Sequence, residues 1–394
     1  MKAFSIALIA ALVSFSASDA DPLVKVQAPV QSLEANGTKQ AARKLIEDAL
    51  SISHAPEIYA DLRSNIKDVY IPLLKDAVQG DLPGSPAPDA KTASMMAKVL
   101  TFLDYSRMAG DDVDAALGEH KNTMISEAAD IVADYAAPSE IDDLRGILGL
   151  PAVRKTFDAL LAASKLITGF SYQDSRSFAE FSAWVGKQNL DFANAIPGSP
   201  GSAASPPGPK RISKAQALVN DLVRVSHIDD AVDRVKHFMR EVYAETVPLS
   251  DEDRQDLRDQ IDQFEFTYNL QKSIGLAAAP SVVAAALSDE QLATLHNFIR
   301  SPACAKAFDL IFSAVKAATA FTKDDIASGQ QAFLDLDKKA KARERSQEDT
   351  AKIEAAWNAF TEKWSKILRD RIAPDTRSGL EKSWEDLQTS DPPI

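Results

Sequence analysis

Leu287-Ser288-Asp289-Glu290-Gln291-Leu292 and, shortly after, Phe298-Ile299-Arg300-Ser301-Pro302-Ala303-Cys304-Ala305-Lys306 hold two helix starts in close succession. Ser288 and Gln291 have the spacing of a capping box, in which the hydroxyl accepts from the Gln291 amide and the Gln291 side chain reaches back. Ser301-Pro302 sets a capping hydroxyl before a proline at the first helical position, where the missing N–H is not needed. Ser250 with Asp253 and Thr322 with Asp325 repeat the start signature with a shorter acid. These starts predict helices over 291–300, 302–320 and 251–272.

Apolar spacing agrees with the caps. Phe308, Ile311 and Val315 recur at steps of three and four, the repeat of one helix face. Near the C-terminus, Ile353, Trp357, Phe360, Trp364 and Ile367 form a heptad-like seam on a long helix expected over about 325–370. Leu380, Trp384 and Leu387 continue it on a short last helix after Pro374. No segment alternates strictly between apolar and polar, so the expected fold is all-α. Two stretches break the helical pattern: 80–90, with its prolines and glycines, and 196–209, which reads as a linker.

The chain also aligns with itself. An offset of 173 positions pairs Ala42 with Ala215, Leu45 with Leu218, Asp48 with Asp221, Ser53-His54 with Ser226-His227, and Val69-Tyr70 with Val242-Tyr243. An offset of 151 pairs Pro151 with Pro302, Lys155 with Lys306, Phe157 with Phe308, Asp158 with Asp309 and Phe170 with Phe321. The offsets differ by 22 residues, which places extra length in the first copy between Tyr70 and Leu144, where the 80–90 stretch lies. The expected architecture is therefore two duplicated helical-bundle units plus a C-terminal helical extension. Its expected divisions are a signal peptide at 1–20, a leader at 21–38, unit one at 39–187, a linker at 188–213, unit two at 214–322 and the extension at 323–394.

The signal expectation rests on Lys2, the apolar run 3–15 and the small-x-small Ser18-Asp19-Ala20, which together favour cleavage after Ala20. The run is too short to span a bilayer, and no cysteine follows it to take a lipid. The most apolar internal run, 275–287, is short and interrupted by Pro280, so no membrane-spanning segment is expected after cleavage. The formal charge of −13 repels phosphate backbones, and the basic stretch 338–345 continues into acids, so nucleic acid is not an expected partner. One cysteine, Cys304, excludes an intramolecular disulfide and reads as a buried thiol.

Residues 298–306 resemble a family of exported proteins of Gram-negative bacteria, the domain-of-unknown-function family 2059. Its pattern runs Phe-Tyr-x-Ser-Pro-x-Gly-x-Lys across two successive helices. Phe298, Ser301, Pro302 and Lys306 match; Ile299 stands for the Tyr and Cys304 for the Gly. The first copy keeps Pro151 and Lys155, with Ile147 and Val153 at the Phe and Gly positions. The resemblance implies a helical, periplasmic protein and carries over no activity.

Candidate chemistry is sparse. The adjacent Ser-His pairs lack a nucleophile-elbow pattern and fall at helix junctions, where capping accounts for them. Asp111, Asp112, Asp114, Glu119 and His120 lack the glycine and oxygen spacing of a calcium loop and read as a solvated helix start. Asp251, Asp253, Asp256, Asp259 and Asp262 spread over an outer helix face. No HExxH, CxxC, GxGxxG or Walker pattern occurs, and no metal or cofactor is expected. Three functions follow: an interaction protein contacting an unknown partner through Trp357, Phe360 and Trp364; a carrier of an apolar small molecule or lipid, lined by Phe157, Phe308 and Phe312; and a hydrolase assembled from distant residues. The first also expects truncation after Thr322 to leave a folded core.

Overall fold

The computed structural model describes residues 34–82, 88–188, 207–246, 249–342 and 347–389, and among these it is helical without a strand. The expected signal peptide and most of the expected linker lie outside the described residues. The first half contains α1 (Glu34–Ile52), α2 (Ala55–Asn65), a π-helical turn (Ile66–Tyr70), α3 (Ile71–Gln79), α4 (Ala90–Tyr135), α5 (Pro138–Leu148), α6 (Pro151–Thr168) and α7 (Tyr172–Lys187). The second contains α8 (Pro209–Ser226), α9 (Ile228–His237), a π-helical turn (Phe238–Tyr243), α10 (Ala244–Thr246), α11 (Asp251–Ala286), α12 (Asp289–Ile299) and α13 (Pro302–Ala318). The chain ends with α14 (Lys323–Ala342), α15 (Gln347–Arg371) and α16 (Pro374–Gln388).

The caps form as their chemistry requires. The Gln291 amide donates to Ser288 Oγ at 3.1 Å and the Ser288 amide to Gln291 Oε1 at 2.8 Å. Ser301 and Ser250 accept from the Cys304 and Asp253 amides at 3.2 and 3.1 Å. Helix α11 runs past the expected end at 272 to Ala286, straight through Pro280. An interior proline costs about 3 kcal/mol. Burial of the surrounding turn offsets it, because Ala284 and Leu287 pack with Leu276, Ala279 and Val283 in one apolar cluster. The helix expected over 325–370 is α14 and α15, with 343–346 outside the described residues.

The described chain divides into two compact units that are not consecutive in sequence. Unit 1 is built from 34–63, 97–158 and 324–389, and unit 2 from 64–96 and 159–323. The expected second unit, 214–322, falls inside unit 2; the expected first unit, 39–187, is divided; the C-terminal extension is part of unit 1. Unit 1 is centred on Ala42, Leu45, Ala129, Val132 and Ile141, with Leu144, Leu148 and Trp357 packed against them. Unit 2 is centred on Ala215, Leu218, Val219, Ala284, Leu287, Leu292 and Ile299. Burying each large apolar side chain stabilises a unit by about 1.5–3 kcal/mol.

Several local features recur at the two offsets. Helices α5 and α12 start at Pro138 and Asp289, 151 positions apart, and α4 and α11 end at Tyr135 and Ala286 with the same spacing. The π-helical turns end at Tyr70 and Tyr243, 173 apart. Among the described residues, His54 and His227 are the non-glycine positions with positive φ, at 53° and 51°. Each turns the chain sharply between two helices. That conformation crowds Cβ against the next carbonyl by about 1–2 kcal/mol, and a β-branched side chain crowds it further. His227→Val is therefore expected to be less stable than His227→Asn by about 1–2 kcal/mol in urea unfolding followed by circular dichroism, since both variants lose the imidazole and differ mainly in tolerance of positive φ.

Candidate functional site

His54 and His227 are each held by an aspartate at Nε2, with a second carboxylate farther off near Nδ1. In unit 1, His54 Nε2 lies 2.9 Å from Asp158 Oδ1, and Nδ1 lies 3.5 Å from Glu57. In unit 2, His227 Nε2 lies 3.0 Å from Asp309 Oδ1, and Nδ1 lies 4.0 Å from Asp230. The neighbouring hydroxyls point elsewhere: Ser53 Oγ donates to the Leu50 carbonyl at 3.1 Å and Ser226 Oγ to the Val223 carbonyl at 3.0 Å. Phe312 stacks on His227 with centroids 4.9 Å apart. The imidazoles thus tie a helix junction to α6 or α13, and neither Ser53 nor Ser226 is placed to be activated by its neighbour.

The residues that match the family pattern sit together in unit 2. Phe298 stacks on Phe181 with centroids 3.7 Å apart and meets Phe178 edge-on at 5.4 Å. Ser301 caps α13, Pro302 is its first residue, and Lys306 Nζ donates to Asp174 Oδ2 at 2.8 Å. Burial opposes ionisation of Asp174, but Lys306 and the Ser171 amide and hydroxyl outweigh it and hold the carboxyl below the usual range. Cys304 is buried, and burial pushes its thiol up. In unit 1, Lys155 Nζ donates to Asp325 Oδ2 at 2.5 Å. Asp174 and Asp325 are themselves 151 positions apart, and each lysine meets the one of the two that is farther from it in sequence.

The aromatic seam and the first acidic group meet in unit 1. Trp364 is 4 % exposed; its Nε1 donates to Glu127 Oε2 at 3.0 Å, and its ring lies 5.7 Å from His120. Trp357 packs against the unit 1 core and meets Phe360 edge-on at 5.6 Å. Trp357 and Trp364 of the expected contact surface are therefore taken up by the unit's own packing, and Phe360 lies half-buried between them. The seam's spacing defines a face without naming what it meets. Asp111 and Asp114 pair with Arg63, Asp112 accepts from the Ala373 amide at 3.1 Å, and Glu119 pairs with Arg371 at 3.1 Å. The group lies in the middle of α4, not at a helix start, and it anchors α15 and α16. Any Cβ at Gly379 would run into the Tyr105 ring, so α16 approaches α4 closely there. Because 324–389 completes unit 1, truncation after Thr322 removes part of that core.

Sequence reasoning missed a surface on α11. Phe266, Leu270 and Ile274, one turn apart, are 69 %, 48 % and 60 % exposed. Between Gln263 and Ser281 the same outer face carries Gln263, Thr267, Ala277, Ala278 and Ser281, and no charge. Glu265 and Lys272 turn away, to Lys236 and Asp229 at 2.9 and 2.6 Å. The step-of-four pattern was visible in the sequence, but α11 is apolar on its inner side as well, and periodicity alone does not say which side stays bare. Among the described residues, no group of His, Cys, Asp and Glu is placed to hold a metal ion, and no helix is long and apolar enough to cross a membrane. A shallow apolar groove of about 250 Å³ is lined by residues including Met239, Leu257, Ile261 and Phe264; the expected carrier residues Phe157, Phe308 and Phe312 do not line it. Comparison with protein-family models, curated proteins and solved structures finds no match.

The Lys306–Asp174 pair gives a pH-dependent test. A depressed aspartate contributes stability above its unfolded pKa of about 3.9, and that contribution is lost as pH falls through the lower folded value. Lys306→Met is expected to cost about 1–3 kcal/mol at pH 7, because it leaves a buried carboxylate without its cation. The gap from wild type should close as the pH is lowered below about 4, measured by urea unfolding across pH. A gap that stays constant with pH would mean Lys306 acts through its alkyl stem alone.

Proposed function

We propose that this is an exported helical protein, made of two copies of one unit, that works by protein–protein interaction through the outer face of α11. The bare Phe266–Leu270–Ile274 stripe carries the reading. At the offset of 151, the positions Gln263, Leu270, Ile274 and Ala278 correspond to Asp112, Glu119, Thr123 and Glu127 of α4. Asp112, Glu119 and Glu127 bind α15 and α16 in unit 1. The more apolar of the two faces is the one left open. A contiguous exposed apolar patch of this kind marks an interaction site.

The occupant we assign is a second copy of the chain, with α11 packed antiparallel on α11. The face is free of charge from Gln263 to Ser281 and has Leu270 near its middle. A two-fold axis there sets Phe266 against the second copy's Ile274 and Leu270 against its counterpart, as an isologous interface requires. It also sets Asp256, Asp259 and Asp262 opposite the uncharged segment 278–284 of the second copy. A parallel pairing would instead set each acid against its own image, a costly arrangement for a chain of charge −13. Export is supported by the N-terminal pattern and by the resemblance of 298–306 to an exported family; it predicts a mature chain beginning at Asp21, read by N-terminal mass spectrometry.

Analytical ultracentrifugation tests the interface. Wild type is expected to sediment as a dimer. Leu270→Glu, which places two carboxylates at the axis, is expected to weaken association at least ~100-fold while leaving the helical circular dichroism unchanged. A wild-type chain that remains monomeric at high concentration, or a Leu270→Glu dimer of unchanged affinity, overturns the assignment.

A further inference from the structure

One pocket in unit 1 collects three cations, two of which, Lys44 and Arg154, have no ion-pair partner among the described residues. It lies between α1, α5 and the start of α6, and its volume is about 330 Å³. Lys44, Arg145 and Arg154 line it, together with Asp48, Ser51 and Gly149. Three cations against one carboxylate leave a local excess of positive charge, where the whole chain stands at −13. Arg145 Nε is buried with no hydrogen bond, and Asp48 Oδ2 is 3.7 Å from it, too far to accept one. A buried guanidinium N–H left without an acceptor is costly.

The positions related to this pocket by the two offsets show what fills the space when it is not left open. Asp48 corresponds to Asp221, Arg145 to His296, Ser51 to Arg224 and Gly149 to Arg300. In unit 2, Asp221 receives Arg224 at 2.8 Å, His296 at 2.9 Å and Arg300 at 3.7 Å. The Arg224 hydrogen bond, followed by that of His296, holds the Asp221 carboxyl below the usual range. Lys44 and Arg154 correspond to Ala217 and Ala305. In one place, then, two arginines close over the aspartate and the outer cations are absent. In the other, Ser51 and Gly149 leave room, and the outer cations are present and unpaired.

We propose that the Lys44–Arg145–Arg154 pocket binds a compact oxyanion, a carboxylate or phosphate group on a small molecule. Asp48 stays beside Arg145 and orients the guanidinium edge, while Lys44 and Arg154 supply charge at the rim. The volume is at the small end of ligand sites and suits a dicarboxylate or a phosphate ester better than a lipid. The inference does not depend on the proposed dimer, whose face lies on α11.

Isothermal titration with inorganic phosphate and with succinate, against sodium chloride at matched ionic strength, tests the site on the full mature chain. Saturable binding of at least one of the two, absent with chloride, is the expected result; which one binds separates phosphate from carboxylate recognition. Lys44→Gln and Arg154→Gln should each weaken it about tenfold, the worth of one charge-assisted hydrogen bond. The double variant Ser51→Arg with Gly149→Arg, which recreates the closed arrangement, should abolish it, and Arg211→Gln, outside the pocket, should leave it unchanged. No saturable binding of either anion, or binding that persists unchanged in the Lys44→Gln, Arg154→Gln double variant, overturns the proposal.

Discussion

The lysine–aspartate pair that closes each unit is the constraint on which the rest of the packing depends. Asp174 stands in the first turn of α7, where it accepts from the Ser171 amide at 2.9 Å and from the Lys306 ammonium at 2.8 Å. One carboxylate therefore starts its own helix and fixes that helix to α13. The helix N-terminus already favours a negative charge there, so the lysine meets an acceptor that is held in place. Both aspartates are mostly or fully out of solvent, with side chains 15 % and 8 % exposed. A carboxylate in that position is tolerated only with its cation present, which makes docking of α7 in unit 2 and of α14 in unit 1 cooperative with ion pairing.

On the proposed duplication, this pairing also explains why the compact units are discontinuous. The lysines are related by 151 positions, and so are the aspartates, but each lysine takes the aspartate that is farther from it in sequence. Neither copy is complete without a helix that the chain delivers from elsewhere. Phe298 depends on the same exchange, because its stacking partner Phe181 lies on α7. A single ancestral copy would have needed a second chain to supply that helix. Joining two copies in one chain makes the exchange intramolecular and raises the effective concentration of the exchanged helix.

The helical fold was legible in the sequence because it is written in local chemistry: Ser288 with Gln291, Ser301 before Pro302, and apolar steps of three and four. The junction histidines were legible as junctions, since Ser53-His54 and Ser226-His227 fall between two helical patterns. Their left-handed backbone was not, because histidine, though enriched among non-glycine residues at positive φ, adopts it only in a small minority of positions. The division into units was hidden for a different reason. The exchange joins Lys155 to Asp325 and Lys306 to Asp174, and nothing near either lysine marks which of two equivalent aspartates it will meet. The seam of Trp357, Phe360 and Trp364 was legible as a face, but burial against α4 is a property of both helices. The pocket of Lys44, Arg145 and Arg154 was not legible at all, as its members are far apart in sequence and each alone resembles an ordinary surface cation.

The two units differ most where function is assigned to them. The core positions Ala42 and Ala215, or Leu45 and Leu218, are identical and buried in both, as packing density demands. The α4 face is polar and covered by α15 and α16, whereas the related α11 face is apolar and open. The Asp221 site is filled by arginines, whereas the related Asp48 site is open, with Arg145 beside the carboxylate and Lys44 and Arg154 at the rim. A core under common packing constraints changes little, while a surface freed by its partner copy can specialise. On the two proposals, protein contact falls to unit 2 and small-anion binding to unit 1, two tasks that a single copy would have to fit on one small surface.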